Sequence, residues 1–147
     1  MSLDVPVSRI MRRDFVSLEL KDRLDFADDV MSLGRIRHLP VLDNGRLVGI
    51  VSQRDLLASS LSSVLEVDPK HRRSFLRAID VREVMTHPVI TVGEETRASE
   101  AARLMLRHRI GCVPVVDADG APLGLLTETD LLRAAYPPSP GGDETPA

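Results

Sequence analysis

With 147 residues, 43% of them hydrophobic, the chain fits one ordinary domain or two small ones and can bury a core. A formal charge of -3 gives no basic surplus for nucleic acid, and 3% aromatics without tryptophan leave few platforms for base stacking. A single cysteine, Cys112, excludes an internal disulfide framework and suits a reducing compartment. The stretch Met1 to Pro6 lacks the basic-then-apolar pattern of a signal peptide, and no apolar run approaches the length of a membrane span. The expectation is a cytoplasmic protein without a nucleic-acid or membrane partner.

Taken in order, residues 7–11 read as a short helical lead-in ending at Met11. Phe15 to Leu18 is β-prone and short enough for a strand. A helix is expected from about Asp22, with apolar Leu24, Ala27, Val30 and Met31 at helical spacing and Gly34 as its stop. His38 to Leu42 is a second strand. Its Pro40 lacks a donor N–H, which predicts a sheet edge or an irregular point. Asn44-Gly45 suits a type I′ hairpin turn, Leu47 to Val51 forms the third strand, and Ser52 opens a second helix. Asp68-Pro69 then reads as an N-cap and first-turn pair opening a basic helix, Lys70 to Ile79, with Phe75, Leu76 and Ile79 on one face. Its run His71-Arg72-Arg73 with Arg77 is either a solvated face or a docking surface for an acidic partner.

The second half repeats this order. Val81 to Thr86 is a lead-in and Val89 to Val92 a strand; Thr96 is expected to cap a helix with Ala98, Ala101, Leu104 and Met105 on its apolar face. Cys112 to Val116 and Leu123 to Leu126 are strands around the turn Asp117 to Gly120, and the helix after Thr127 ends near Tyr136. Pro137 to Ala147 has nothing to bury and is expected to be disordered. Displaced by 74, the halves coincide at Val7/Val81, Met11/Met85, Arg23/Arg97, Met31/Met105, Arg35/Arg109 and Pro40/Pro114; one extra residue near Ala118 moves the displacement to 75. The chain is therefore two copies of a βαββα unit of about fifty residues. Such a unit is too small to be comfortable alone, so two copies are expected to bury their sheets against each other with pseudo-twofold symmetry. The fold class is α+β, with repeats over 5–61 and 81–136, a helical insertion over 62–80 and a tail over 137–147.

The repeat centres on Gly49-Ile50-Val51-Ser52-Gln53-Arg54-Asp55-Leu56-Leu57, which returns as Gly124-Leu125-Leu126-Thr127-Glu128-Thr129-Asp130-Leu131-Leu132. Each copy is an apolar strand running into a helix, with a hydroxyl residue at the junction and a carboxylate three positions on. Ser52 and Thr127 suit an N-cap, and Asp55 and Asp130 can reach back as in a capping box. The same residues also suit a ligand. A helix N-terminus can hold an anion, a hydroxyl can reach a phosphate, and a carboxylate offers acceptors for the paired hydroxyls of a ribose. A hydroxyl and an acid at this spacing therefore fit a nucleotide better than a bare phosphate. Gly49 and Gly124 permit close backbone approach, by a ligand or by tight packing.

Two such repeats, each with an apolar-Pro-Val-apolar-Asp strand (Leu39 to Asp43, Val113 to Asp117) and the strand-to-helix step, resemble a pair of CBS domains, the family named after cystathionine β-synthase. The lead-ins Val7 to Met11 and Val81 to Thr86 match as well. The resemblance implies a regulatory module of the energy-sensing kind that binds an adenosine-containing ligand (AMP, ADP, ATP, S-adenosylmethionine or a dinucleotide) in the cleft between repeats. It implies Asp55 and Asp130 on ribose, and Ser52 and Thr127 near phosphate. It places Arg37 and His38 as phosphate-binding basic residues, although His38 could equally be a plain surface residue. Ser17 and Thr91 would line the nucleoside pocket. The second copy carries Gly111 and Cys112 where the first has the basic pair, so unequal sites are expected. A homodimer, and an effector protein acting in trans, are implied too.

No nucleophile–base pair, phosphate-binding glycine loop or metal motif stands out, and the two repeats leave no room for a catalytic domain, so no enzyme activity is expected. His71, His87 and His108 show no ligand spacing with one another or with Cys112, so no metal site and no required cofactor are expected, and Cys112 reads as a small buried filler. Two function classes stay open: a ligand-binding regulatory module, and a structural module for dimerisation or docking whose capping motifs do nothing further.

Overall fold

Ten elements follow the lead-in Val7–Arg9, which is one turn of 3-10 helix: β1 Leu18–Glu19, α1 Leu24–Gly34, β2 His38–Asp43, β3 Arg46–Ser52, α2 Gln53–Val64, α3 Pro69–Arg77, α4 Ala98–His108, β4 Cys112–Val116, β5 Pro122–Thr127 and α5 Glu128–Ala135. The second lead-in, Val81–Glu83, is also a 3-10 turn and precedes α4. This computed structural model describes residues 4–64 and 69–139. Asp68, expected to cap α3, and the tail from residue 140 lie outside them.

The chain divides into two compact units that do not follow sequence order. One unit combines residues 15–89 with 119–121, and the other combines 1–14, 90–118 and 122–147. Each lead-in is thus built into the unit whose hairpin and helices come from the other repeat.

In the 15–89 unit the sheet order is β1-β2-β3, with β1 parallel and β3 antiparallel to β2. The alternation of β2 and β3 turns Leu39, Val41 and Val51 inward, where they meet Leu18, Leu24, Ala27, Met31, Leu56 and Leu76 in one buried cluster. Asn44 and Gly45 both take positive φ (51° and 80°), as the type I′ turn requires. In the other unit β4 and β5 form the hairpin, and Val113, Val115 and Leu126 pack with Val7, Met11, Val92, Ala101 and Met105.

Several local expectations shift. The first strand is Leu18–Glu19 rather than Phe15 to Leu18, and Val89 to Val92 reduces to one parallel bridge, Val92 to Val115. Pro40 lies in the central strand, not at an edge. It is tolerated because it opposes Ile50, whose N–H and C=O both pair with Thr86, so this is a position where β2 needs no donor toward β3; β1 begins pairing only at Val41. Helix α1 runs through Gly34 and stops at Arg35, in the left-handed region (φ 52°, ψ 39°), as Arg109 stops α4 (φ 55°, ψ 45°). Thr96 is not a cap. Arg97 and Arg23 hold the N-cap positions without side-chain bonds, because the first helical N–H is taken by a distant carbonyl: Ala98 N donates to Val5 O at 2.8 Å, and Leu24 N to Ile79 O at 3.0 Å.

The basic run of the insertion helix is a solvated face, with His71, Arg73 and Arg77 exposed, and its guanidinium groups pair within the same unit. Arg72 makes a bidentate pair with Asp28 (2.8 and 3.1 Å), Arg73 another with Asp29 (3.1 Å twice), and Arg77 approaches Asp25 at 3.6 Å. The acidic partner is α1 of the same unit. Leu76 alone of the three expected face residues is fully buried; Phe75 is 36% exposed.

Candidate functional site

The junction of the 15–89 unit forms where β3 ends and α2 begins. The register His38–Ser52 sets the entrance of β2 beside the start of the helix. Ser17 immediately precedes β1, which runs parallel to β2, so it lies at the same end of the sheet. Ser52 N donates to Asp55 Oδ2 at 2.9 Å, and Asp55 N donates to Ser52 Oγ at 3.0 Å. This is a reciprocal capping box with Asp in place of Glu. Gln53 N donates to Arg37 O at 2.8 Å. Backbone and hydroxyl thus already use two of the first N–H groups, and an incoming anion would meet side chains more than bare helix end. Ser17, His38, Ser52 and Asp55 are half-buried, whereas the Arg37 side chain is exposed.

One neighbour was not foreseen. Thr86, from the second lead-in, forms an antiparallel bridge with Ile50, and its Oγ1 donates to Asp55 Oδ2 at 3.4 Å. The position matches Arg12 in the repeat alignment, but nothing local says that the lead-in returns to the edge of β3. The glycine before the bridge explains the fit: a Cβ on Gly49 would collide with the Met85 side chain, and one on Gly124 would lie 2.8 Å from Met11 Sδ and 2.9 Å from Arg12 O. Both glycines therefore serve close packing of a lead-in.

The junction of the other unit has the same plan and a tighter interior. Thr127 N and Thr127 Oγ1 both donate to Asp130 Oδ2 (2.9 and 3.0 Å), and Asp130 N donates back to Thr127 Oγ1 at 3.4 Å. Glu128 N donates to Gly111 O at 3.2 Å. Asp130 is 8% exposed, the only buried polar or charged residue among those described. Cys112 pairs with Thr127 as His38 does with Ser52. Burial, and then the negative charge of Asp130, push the Cys112 thiol up to about 12, so it is neutral and unreactive at ordinary pH. Thr91 lies just before the Val92–Val115 bridge, at the Cys112 end of the hairpin, and is exposed.

Two hairpin-to-helix steps, each with a hydroxyl-carboxylate box and each closed by a lead-in, match the CBS domain family model over residues 7–62 and 81–136. The chain belongs to the CBS-domain family. A CBS domain-containing protein of Dictyostelium discoideum is 33% identical over 88% of this chain and 90% of its own length. Among solved structures, CBSX2 in complex with AMP is 30% identical with a TM-score of 0.75, covering 89% of this chain and 96% of that one. The CBS domain pair of protein MJ0100, in complex with 5′-methylthioadenosine and S-adenosyl-L-methionine, is 27% identical with a TM-score of 0.73, covering 88% and 98%. Other curated relatives are longer. The chain spans 23% of three inosine-5′-monophosphate dehydrogenases, so only the CBS part of those enzymes matches. No described helix is long and apolar enough to cross a membrane.

Proposed function

We propose that this CBS pair is a non-enzymatic regulatory module that binds an adenosine-containing nucleotide at its strand-to-helix junctions and passes occupancy to a partner protein. Asp55 and Asp130 accept from the ribose hydroxyls. Ser52 and Thr127 sit near phosphate, Arg37 and His38 neutralise it at the first junction, and Ser17 and Thr91 border the nucleoside. The observation that carries the reading is the box at Ser52 and Asp55, whose carboxylate takes Ser52 N and the Thr86 hydroxyl both on Oδ2, with a basic pair at the adjoining strand end. A carboxylate has about four lone-pair sites over two oxygens, so a cap on Oδ2 and a ribose diol on the remaining sites are compatible. CBSX2 with AMP and the MJ0100 pair with S-adenosylmethionine support those two ligands as candidates, and ADP and ATP join them as phosphate-extended forms of AMP. In this reading the protein works in a reducing, cytoplasmic setting as a homodimer whose geometry, biased by the ligand's differential affinity, carries the signal of nucleotide supply to the effector.

Thermal unfolding of nucleotide-stripped protein against these ligands tests the reading. Ligand at about a hundred times its dissociation constant adds roughly 2.7 kcal/mol, several degrees at this size. The shift is expected with at least one adenine ligand and to vanish in the Asp55→Ala, Asp130→Ala double variant. A specific observation favours the second reading, a structural docking module: both carboxylates already complete helix caps. A flat response to every ligand by well-folded protein would decide for it.

A further inference from the structure

We propose that Arg12 is the phosphate-recognising side chain of the Thr127/Asp130 junction, doing there what Arg37 and His38 do at the other. The inference rests on the nucleotide reading above. Arg12 and Thr86 occupy one structural position. Arg12 exchanges both backbone hydrogen bonds with Leu125 (2.9 Å each way), and Thr86 exchanges both with Ile50 (2.8 and 3.1 Å). Leu125 and Ile50 each stand two residues before the hydroxyl residue of their box. The Thr86 side chain shows where this position leads: its hydroxyl reaches the carboxylate of Asp55. A threonine ends there, whereas an arginine at the same bridge has several ångströms more reach, enough for a phosphate held at the box.

Charge makes the same demand. The Thr127/Asp130 junction holds a buried carboxylate, and its strand entrance is Gly111 and the neutral thiol of Cys112. A phosphate arriving there meets a negative charge with no cation from that strand. Arg12 is exposed, and no ion pair engages it among the described residues. Its planar guanidinium suits phosphate oxygens two at a time. Its structural duty is borne by backbone atoms, so the side chain is free to serve a ligand.

The test uses the full chain with Asp55→Ala, which leaves the Thr127/Asp130 junction as the measured site. Adenosine and AMP are titrated calorimetrically into this protein and into versions that add Arg12→Thr or Arg12→Lys. Arg12→Thr is expected to weaken AMP about tenfold and leave adenosine unchanged, with Arg12→Lys intermediate. Equal retention of AMP and adenosine in Arg12→Thr would overturn the assignment while leaving the nucleotide reading intact. Equal loss of both would make Arg12 a nucleoside or structural contact and overturn it as well. If Asp55→Ala alone binds neither compound, the nucleotide reading of this junction fails and the assignment falls with it.

Discussion

The two junctions share a plan and differ in what surrounds the carboxylate. Asp55 is half-buried and touched by the Thr86 hydroxyl, and its box begins at Ser52, which pairs with His38 on β2. Asp130 is buried, doubly bonded by Thr127 and flanked by a neutral thiol. One local motif therefore caps a helix in both places, with a more open carboxylate at Asp55 and a more enclosed one at Asp130. The box fixes backbone geometry in both, while the residues contributed by neighbouring segments decide how open and how charged each one is.

The largest test of this contrast is at the glycines. Gly124→Ala sets a methyl group against Arg12 O, a backbone atom that cannot swing aside, as well as against Met11. It should cost about 3 kcal/mol in urea denaturation, the upper end for overpacking. Gly49→Ala has the Met85 side chain as its nearest obstacle and should cost about 1–2 kcal/mol, since a methionine can repack. Equal costs would mean that the two lead-ins are equally yielding. Next come the carboxylates. Asp130→Ala strips a buried cap and leaves Thr127 N unpaired, for a loss of about 2 kcal/mol; Asp55→Ala, where water can replace the acceptor, should lose about 1 kcal/mol or less. The reverse ranking would break the contrast.

A third prediction concerns pH. The Cys112 thiol ordinarily ionises near 9.0, and the fold raises this to about 12. Between these values the unfolded chain sheds a proton that the native chain keeps, so native stability falls as pH rises through that window. Cys112→Ser should flatten the fall, and thiol labelling of the native protein at pH 8 should be slow until the chain unfolds. The smallest effect is at the insertion helix. The bidentate guanidinium of Arg73 holds Asp29 below the usual carboxylate range, yet the pair is exposed. Arg73→Ala should change the melting temperature little, and Arg72→Ala, whose pair is partly buried, measurably more, with the difference shrinking at high salt.

The repeat, its hairpins and its capping boxes were legible because each is written locally: Asn44-Gly45 dictates its turn, and Ser52 to Asp55 and Thr127 to Asp130 close on themselves. The errors came from nonlocal partners. Thr96 looked like a cap, but Val5 O supplies the acceptor from far away in sequence. Gly34 looked like a helix stop, but Arg35 takes the left-handed turn one residue later, and only its coincidence with Arg109 hinted at that. Thr86 escaped notice at the site because a lead-in that crosses to the other repeat's strand leaves no mark in its own spacing. The basic run of α3 could not be read alone, since its answer, Asp25, Asp28 and Asp29, is stored in another helix.

The exchange of lead-ins bears on how such a protein can be inherited. A gene fragment cut between the repeats would encode a hairpin whose glycine groove waits for a methionine from the missing half: Gly49 for Met85, Gly124 for Met11. Each fragment would keep a lead-in but lose the one that closes its hairpin in the full chain, so cutting between the repeats removes a packing contact from both halves at once.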